Sequence, residues 1–304
     1  MLVGKRISPV TVLKIEGPAI LFFAAFACLV FFIGGYFKVD LEIPLSIVAT
    51  LGTAVAILLG FKNNSAYDRW WEARKIWGGV VNQSRYLTVQ MLAYTDRSEP
   101  ADEDSHQALL QEVVFRHLAY INTLRLQLRG LDTEEPRSKW LVETENNELA
   151  DARNKATQIL TCQGKCFRRI HEDKRIEQFR LFELMSTVRE FFELQGKAER
   201  IKSTPLMRHY SHFTTAFVWI FVLMLPFGFV NQMGWKMIPL VVLVSAIFTI
   251  LDRAGSLTES PFANDFNDVA LDAICTTIEI DMLQQIGITN LPEPVQPTRD
   301  GVLM

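Results

Sequence analysis

The residues that could do chemistry are few and poorly grouped for it. Cys162 and Cys166 stand four residues apart with His171 close behind, a spacing that would suit a soft metal ion. No second ligand pair accompanies them. The five histidines (His106, His117, His171, His209 and His212) show no ligand spacing. Glu143, Glu145 and Glu148 could supply paired carboxylates, but they lie in a polar stretch that reads as a solvated face. A glycine-rich phosphate loop and a nucleophile elbow are both absent. Cys28, Cys162, Cys166 and Cys275 are scattered over 304 residues and read as free thiols rather than a disulfide framework. The sequence therefore predicts no enzyme, no cofactor and no resident metal.

What the sequence offers instead is segregation. It is 49% hydrophobic and 21% charged, a combination that calls for apolar blocks in lipid and charged blocks in water. A net charge of −3 gives no reason to expect a nucleic-acid surface. Residues 17–37 carry no charge and, at about 1.5 Å per residue, are long enough to cross a hydrocarbon core of roughly 30 Å. They exceed the apolar core of a cleaved leader, and a second uncharged run, residues 43–61, follows almost at once. That second run carries Ser46, Ala49, Thr50, Gly52, Thr53, Ala54 and Ala56, small residues that suit close helix packing. Residues 213–235 form a third span with Pro226 and Gly228 inside it, and residues 237–251 complete a hairpin across the short link 230–236.

Basic residues set the orientation. Twelve lie on one side of these spans (Lys5, Arg6, Lys14, Lys62, Arg69, Arg74, Lys75, Lys197, Arg200, Lys202, Arg208 and Arg253) against Lys38 and Lys236 on the other. This places both termini and the long central segment in the cytoplasm. Residues 62–211 carry 24 basic and 22 acidic residues and show helical apolar spacing over 106–128 and 176–195. They predict a helical region with breaks at 97–104 and 129–138, where proline, glycine and charge cluster. After residue 251, nine acidic residues stand against two basic ones, and 261–283 reads as a capped amphipathic helix with a loose end from about residue 290. The domain boundaries that follow are 1–61, 62–211, 212–251 and 252–304.

Residues 59–78, LGFKNNSAYDRWWEARKIWG, run from an apolar helix into a basic, tryptophan-rich one without a proline break. This stretch resembles the bestrophin family, in which the second helix ends in Gly-Phe and continues through a basic-aromatic motif. Residues 259–279, ESPFANDFNDVALDAICTTIE, look like that family's post-membrane Pro-Phe segment, and 198–205, AERIKSTP, resembles the lead-in to the third span of bacterial members. The likeness covers about residues 5–288. It implies an all-α membrane protein with four transmembrane helices and a helical cytoplasmic region, assembled as a homopentamer around one central pore. The implied activity is passive flux of monovalent ions across the bacterial inner membrane.

Carried onto this chain, the family's pore neck falls on Thr53, Ile57 and Phe61, three positions spaced along one helix face. Thr53 departs from the family's bulky apolar residue, so its hydroxyl should make that ring wetter and leave the constriction to Ile57 and Phe61. Counting back from Ser203-Thr204-Pro205 puts the family's cytoplasmic aperture at Phe179. Asp265 and Asp268 match two of the acidic positions that bind calcium in vertebrate members. Ser260 replaces a ligand-bearing asparagine and the acidic run is reduced to Phe266 and Asn267, so helix N-capping is the expected role of these aspartates. The net charge of −7 after residue 251 would favour cations such as sodium if it faced the ion path. An anion-selective channel and a membrane-anchored scaffold are the alternatives at this stage.

Overall fold

The computed structural model describes residues 9–37, 42–95, 103–206, 208–265, 267–298 and 301–303, and among these the regular elements are helical. In chain order they are α1 (Pro9–Phe37), α2 (Leu45–Tyr94), α3 (Glu103–Arg129), α4 (Glu134–Trp140), α5 (Glu143–Glu148), α6 (Lys155–Glu172), α7 (Gln178–Ser203), α8 (Arg208–Met233), α9 (Met237–Thr258) and α10 (Leu271–Gln285). The chain divides into two compact units, an apolar one formed by Gly4–Trp70 with Pro205–Ser260, and a charged one formed largely by Trp71–Thr204 with Pro261–Met304.

In the apolar unit, α1, α8 and α9 pack on one another and on the first half of α2. A core of Phe23, Ala27, Val48, Val55, Leu59, Val218, Phe221, Val222, Leu225 and Val241 fills the space between them. Small residues set the closest approaches. A Cβ added at Gly52 would lie 2.7 Å from the Phe221 ring, and one at Gly228 would lie 3.1 Å from Val48. Pro226 sits inside α8 without ending it, as happens where neighbouring helices support the backbone. A single 3₁₀ turn, Gly234–Lys236, with Gly234 at φ 54°, folds α9 back on α8, and Phe221 and Phe248 meet with ring centroids 4.7 Å apart. Three helical runs, Glu16–Gly34, Leu45–Tyr94 and the α8–α9 hairpin His209–Thr258, are long and apolar enough to cross a membrane.

One helix end differs from the sequence reading. The helix of the last apolar run does not end at residue 251: α9 continues through Asp252 and Arg253 to Thr258, and Asp252 is ion-paired inside the unit rather than turned out to water. Residues 252–258 therefore belong to that helix and not to a separate acidic tail. As the sequence reading expects, the helix of the second apolar run continues unbroken, for 50 residues: no proline interrupts it where its composition turns polar, and it passes through Gly78-Gly79 as well.

The charged unit is held by a core of α3, α6 and α7 around the second half of α2. Trp77, Tyr120, Phe167 and Phe191 are among its fully buried side chains. Asn154 caps α6, its side chain accepting from the Thr157 amide at 3.0 Å. Arg116 is buried against Glu145 at 2.6 Å and Glu112 at 3.0 Å, so its charge is matched where water cannot reach it. α10 lies on α3, tied by Asp272 to Arg125 and Arg129.

Candidate functional site

The first half of α2 has two faces set by the helical period. Val48, Gly52, Val55, Leu59, Lys62 and Ala66 are buried, at steps of four and three residues, and make the seam against the rest of the apolar unit. At 100° per residue, Thr53, Ile57 and Phe61 centre about 180° from that seam. All three are exposed, Ile57 at 55% and Phe61 at 62%. Ser46, Ala49, Thr50, Ala54 and Ala56 are exposed as well. Of the small residues in this run, only Gly52 is buried against its own chain.

The Thr53 hydroxyl turns back on its helix and donates to the Ala49 carbonyl at 3.0 Å, as Thr50 does to Ser46 at 2.7 Å. Its proton is thus spent within α2, and what it offers outward is a methyl group and the oxygen's remaining lone pairs. From Leu45 to Phe61 the helix carries no charged residue, so this face presents no fixed charge to attract or reject an ion.

Phe179 sits in the first turn of α7 and is 82% exposed, with Phe182 exposed at 61% beside it. It belongs to the charged unit, is not a core position, and stands out from the surface of its own chain.

Asp265 and Asp268 do not cap a helix. The N-cap of α10 is Ala270, without a side-chain cap bond. Asp268 instead closes the loop before it. Its Oδ2 accepts from the Asn264 amide, which Asn264 makes available by adopting φ 71°, and its own amide donates to the Asp265 carbonyl at 3.1 Å. Burial pushes the Asp268 carboxyl above the usual range, against the pull of the two backbone amide contacts. Asp265 is exposed. Calcium requires six to eight oxygens, and among the described residues no three His, Cys, Asp or Glu side chains converge to hold a metal. Cys166 packs by its sulfur against Glu112 and Arg169, each at 3.6 Å, while His171 bonds the Ile176 carbonyl at 3.0 Å, so the Cys166 thiol and the His171 imidazole have separate structural uses.

The acidic C-terminal stretch is also quieter than its net charge implies. Asp252 is paired with Lys62, Asp272 with Arg125 and Arg129, Glu279 with Lys139 and Asp281 with Arg85. Four of its nine carboxylates are thus matched by bases from earlier in the chain. A field computed from composition alone overstates what an ion would feel.

Lys62 is the residue sequence reasoning misplaced. It counts there as a charge at the water boundary, but its side chain is 1% exposed. The signal was present: a lysine closes the second apolar run and an aspartate closes the fourth, and buried opposite charges at matching ends invite pairing.

Against known proteins, the family model for the bacterial and fungal bestrophins matches residues 10–284. The chain belongs to that family. Among curated bestrophin relatives, a voltage-dependent anion channel-forming protein of Mesorhizobium japonicum is 30% identical over 276 residues, covering 89% of this chain and 84% of its own. The voltage-dependent anion channel-forming protein YneE of Escherichia coli is 28% identical over 286 residues, covering 94% and 91%. A solved structure of a bestrophin homologue from Klebsiella pneumoniae superposes with a TM-score of 0.80 at 26% identity, covering 88% of this chain and 97% of that one. The cation preference read from the acidic C-terminal segment finds no support among these curated relatives, which are named for anions.

Proposed function

We propose that five copies of this chain assemble around their α2 helices into a passive ion channel of the bacterial inner membrane. Four helices of each subunit span the bilayer, namely α1, the first half of α2, α8 and α9. Both termini, residues 62–211 and residues 252–304 lie in the cytoplasm. The permeant species are monovalent ions, with anions favoured. Thr53, Ile57 and Phe61 form stacked rings at the neck, and Phe179 forms a second constriction at the cytoplasmic exit.

The observation that carries this reading is the composition of α2's outward face. A face meant for lipid carries bulky apolar side chains, as α1 does with Leu21, Phe22, Leu29 and Phe32 all exposed. The exposed face of α2 from Ser46 to Ala56 is mostly small or hydroxyl-bearing, which suits close contact with other copies of α2 rather than with acyl chains. Ile57 and Phe61 then stand where an uncharged apolar ring would gate by dewetting. The anion preference rests on the curated relatives, each named a voltage-dependent anion channel-forming protein. The uncharged neck is compatible with it.

Purified protein in planar bilayers should give single-channel currents, and its mass in detergent should be that of a pentamer. Under a sodium chloride gradient, the reversal potential should shift toward the chloride equilibrium potential. A shift toward the sodium equilibrium potential would overturn the anion assignment. Silent bilayers from well-folded protein would overturn the channel.

A further inference from the structure

The turn of α2 that bears Phe61 is tethered by a closed polar cluster inside the apolar unit. Lys62 Nζ donates to Asp252 Oδ1 at 2.7 Å, to Ser256 Oγ at 2.9 Å and to Thr215 Oγ1 at 3.5 Å, so its three N–H groups have three acceptors. Thr215 in turn donates to Asp252 Oδ2 at 2.9 Å, and Ser256 donates to the Asp252 carbonyl at 3.1 Å. One turn earlier, the Tyr210 hydroxyl donates to the Leu58 carbonyl at 3.1 Å. One residue later, Asn63 lies so close to Gly255 that an added Cβ there would meet its Oδ1 at 2.2 Å. Contacts from α8 and α9 thus converge on residues 58–63.

An apolar seam of Val48, Val55 and Leu59 tolerates small rotations, because dispersion contacts are many and non-directional. A saturated hydrogen-bonded ion pair does not. Turning α2 by one residue, about 100°, would carry Lys62 away from all three acceptors and leave two buried charges unmatched. Phe61 is the residue before Lys62 on the same turn, about 100° round the helix from it, and is exposed.

We infer that Lys62, Asp252 and Tyr210 are positioning residues for the neck: they fix the rotation of α2 at Phe61, so that the α8–α9 hairpin sets how far that ring closes. The inference rests on the pore reading above, and one of its tests is independent of ion flux. In a background lacking Cys28, Cys162, Cys166 and Cys275, a cysteine at Phe61 is labelled with a soluble thiol reagent. Lys62→Met and Tyr210→Phe should each change the labelling rate at position 61 by roughly tenfold, with a Leu21→Cys control unaffected. Lys62→Arg should restore the parent rate. If Lys62→Met does not fold, Tyr210→Phe, which removes only one hydroxyl, carries the test. In bilayers, Tyr210→Phe should alter conductance or open probability, and should add nothing further in a Phe61→Ala background. Folded variants with the parent labelling rate at position 61 would overturn the positioning role, whether or not the protein conducts. Full additivity with Phe61→Ala would overturn it as well, since a purely structural role predicts that result. Parent-like labelling in a conducting channel would leave the pore reading intact, whereas altered labelling in a silent protein would defeat only the channel.

Discussion

Mild acid should weaken the charged unit through one histidine, His117. Its ring is fully buried between Tyr120 and Phe191, with centroids 5.6 and 4.6 Å away. The Ser84 hydroxyl spends its proton on the Val80 carbonyl at 2.7 Å, so at 2.8 Å from His117 Nε2 it acts as the acceptor. The ring therefore carries its hydrogen on Nε2, and Nδ1 is buried without a partner among the described residues. Protonation would create an N–H with nothing to receive it. Burial accordingly drives the His117 pKa from 6.5 to about 3. Because the folded value is depressed, the stabilisation is complete above the unfolded pKa and is lost as pH falls below it, when only the unfolded chain takes up the proton. Between pH 7.5 and 5.5 the loss is about 1.4 kcal/mol, or roughly 3–6 °C in Tm for a unit of this size. Thermal unfolding of the solubilised protein should show that drop. His117→Gln keeps a donor to Ser84 but does not titrate, so its pH dependence should be shallower by the same amount. Carboxylates titrate in both proteins and cancel in the comparison. Identical pH dependence in the two would refute the reasoning.

Three further expectations concern substitutions on the long helices. Gly52→Ala should destabilise by about 1–3 kcal/mol, because the new Cβ would lie 2.7 Å from the Phe221 ring. Gly196→Ala, with nothing within 4 Å on its helix, should instead stabilise by about 1 kcal/mol, and the two thermal shifts should have opposite signs. Thr53→Val keeps the side chain's shape at the proposed neck but removes its one polar atom. Conductance or open probability should fall roughly fivefold, the equivalent of about 1 kcal/mol of lost water contact. Unchanged currents would show that the hydroxyl, already turned to Ala49, does not wet the ring.

The apolar runs were legible because a lipid-spanning helix announces itself by length and composition. The unbroken passage of α2 from apolar to charged sequence was legible for the same local reason: nothing between Leu45 and Tyr94 stops a helix. What failed was everything decided by distant partners. Lys62 meets Asp252 across 190 residues, so neither the depth of the lysine nor the extension of α9 to Thr258 follows from its own neighbourhood. Asp268 looked like a capping residue because it precedes a helix, yet it stands two residues before the N-cap Ala270, and its carboxylate accepts from the Asn264 amide four residues upstream. The acidic tail looked like a field because its bases lie elsewhere in the chain. For Thr53, Ile57 and Phe61, spacing placed them on one face, and only the fold reveals that this face points away from their own chain.

The central claim is that this outward face of α2 borders the ion path. Single cysteines at 53, 57 and 61 on that face, and at 55 and 59 on the buried seam, should be introduced into a cysteine-free background. Each should then be exposed to a charged thiol reagent during bilayer recording. Modification of Thr53→Cys, Ile57→Cys and Phe61→Cys should change the current at once, while Val55→Cys and Leu59→Cys should remain inert. Current changes at 55 and 59 with silence at 53, 57 and 61 would contradict the account.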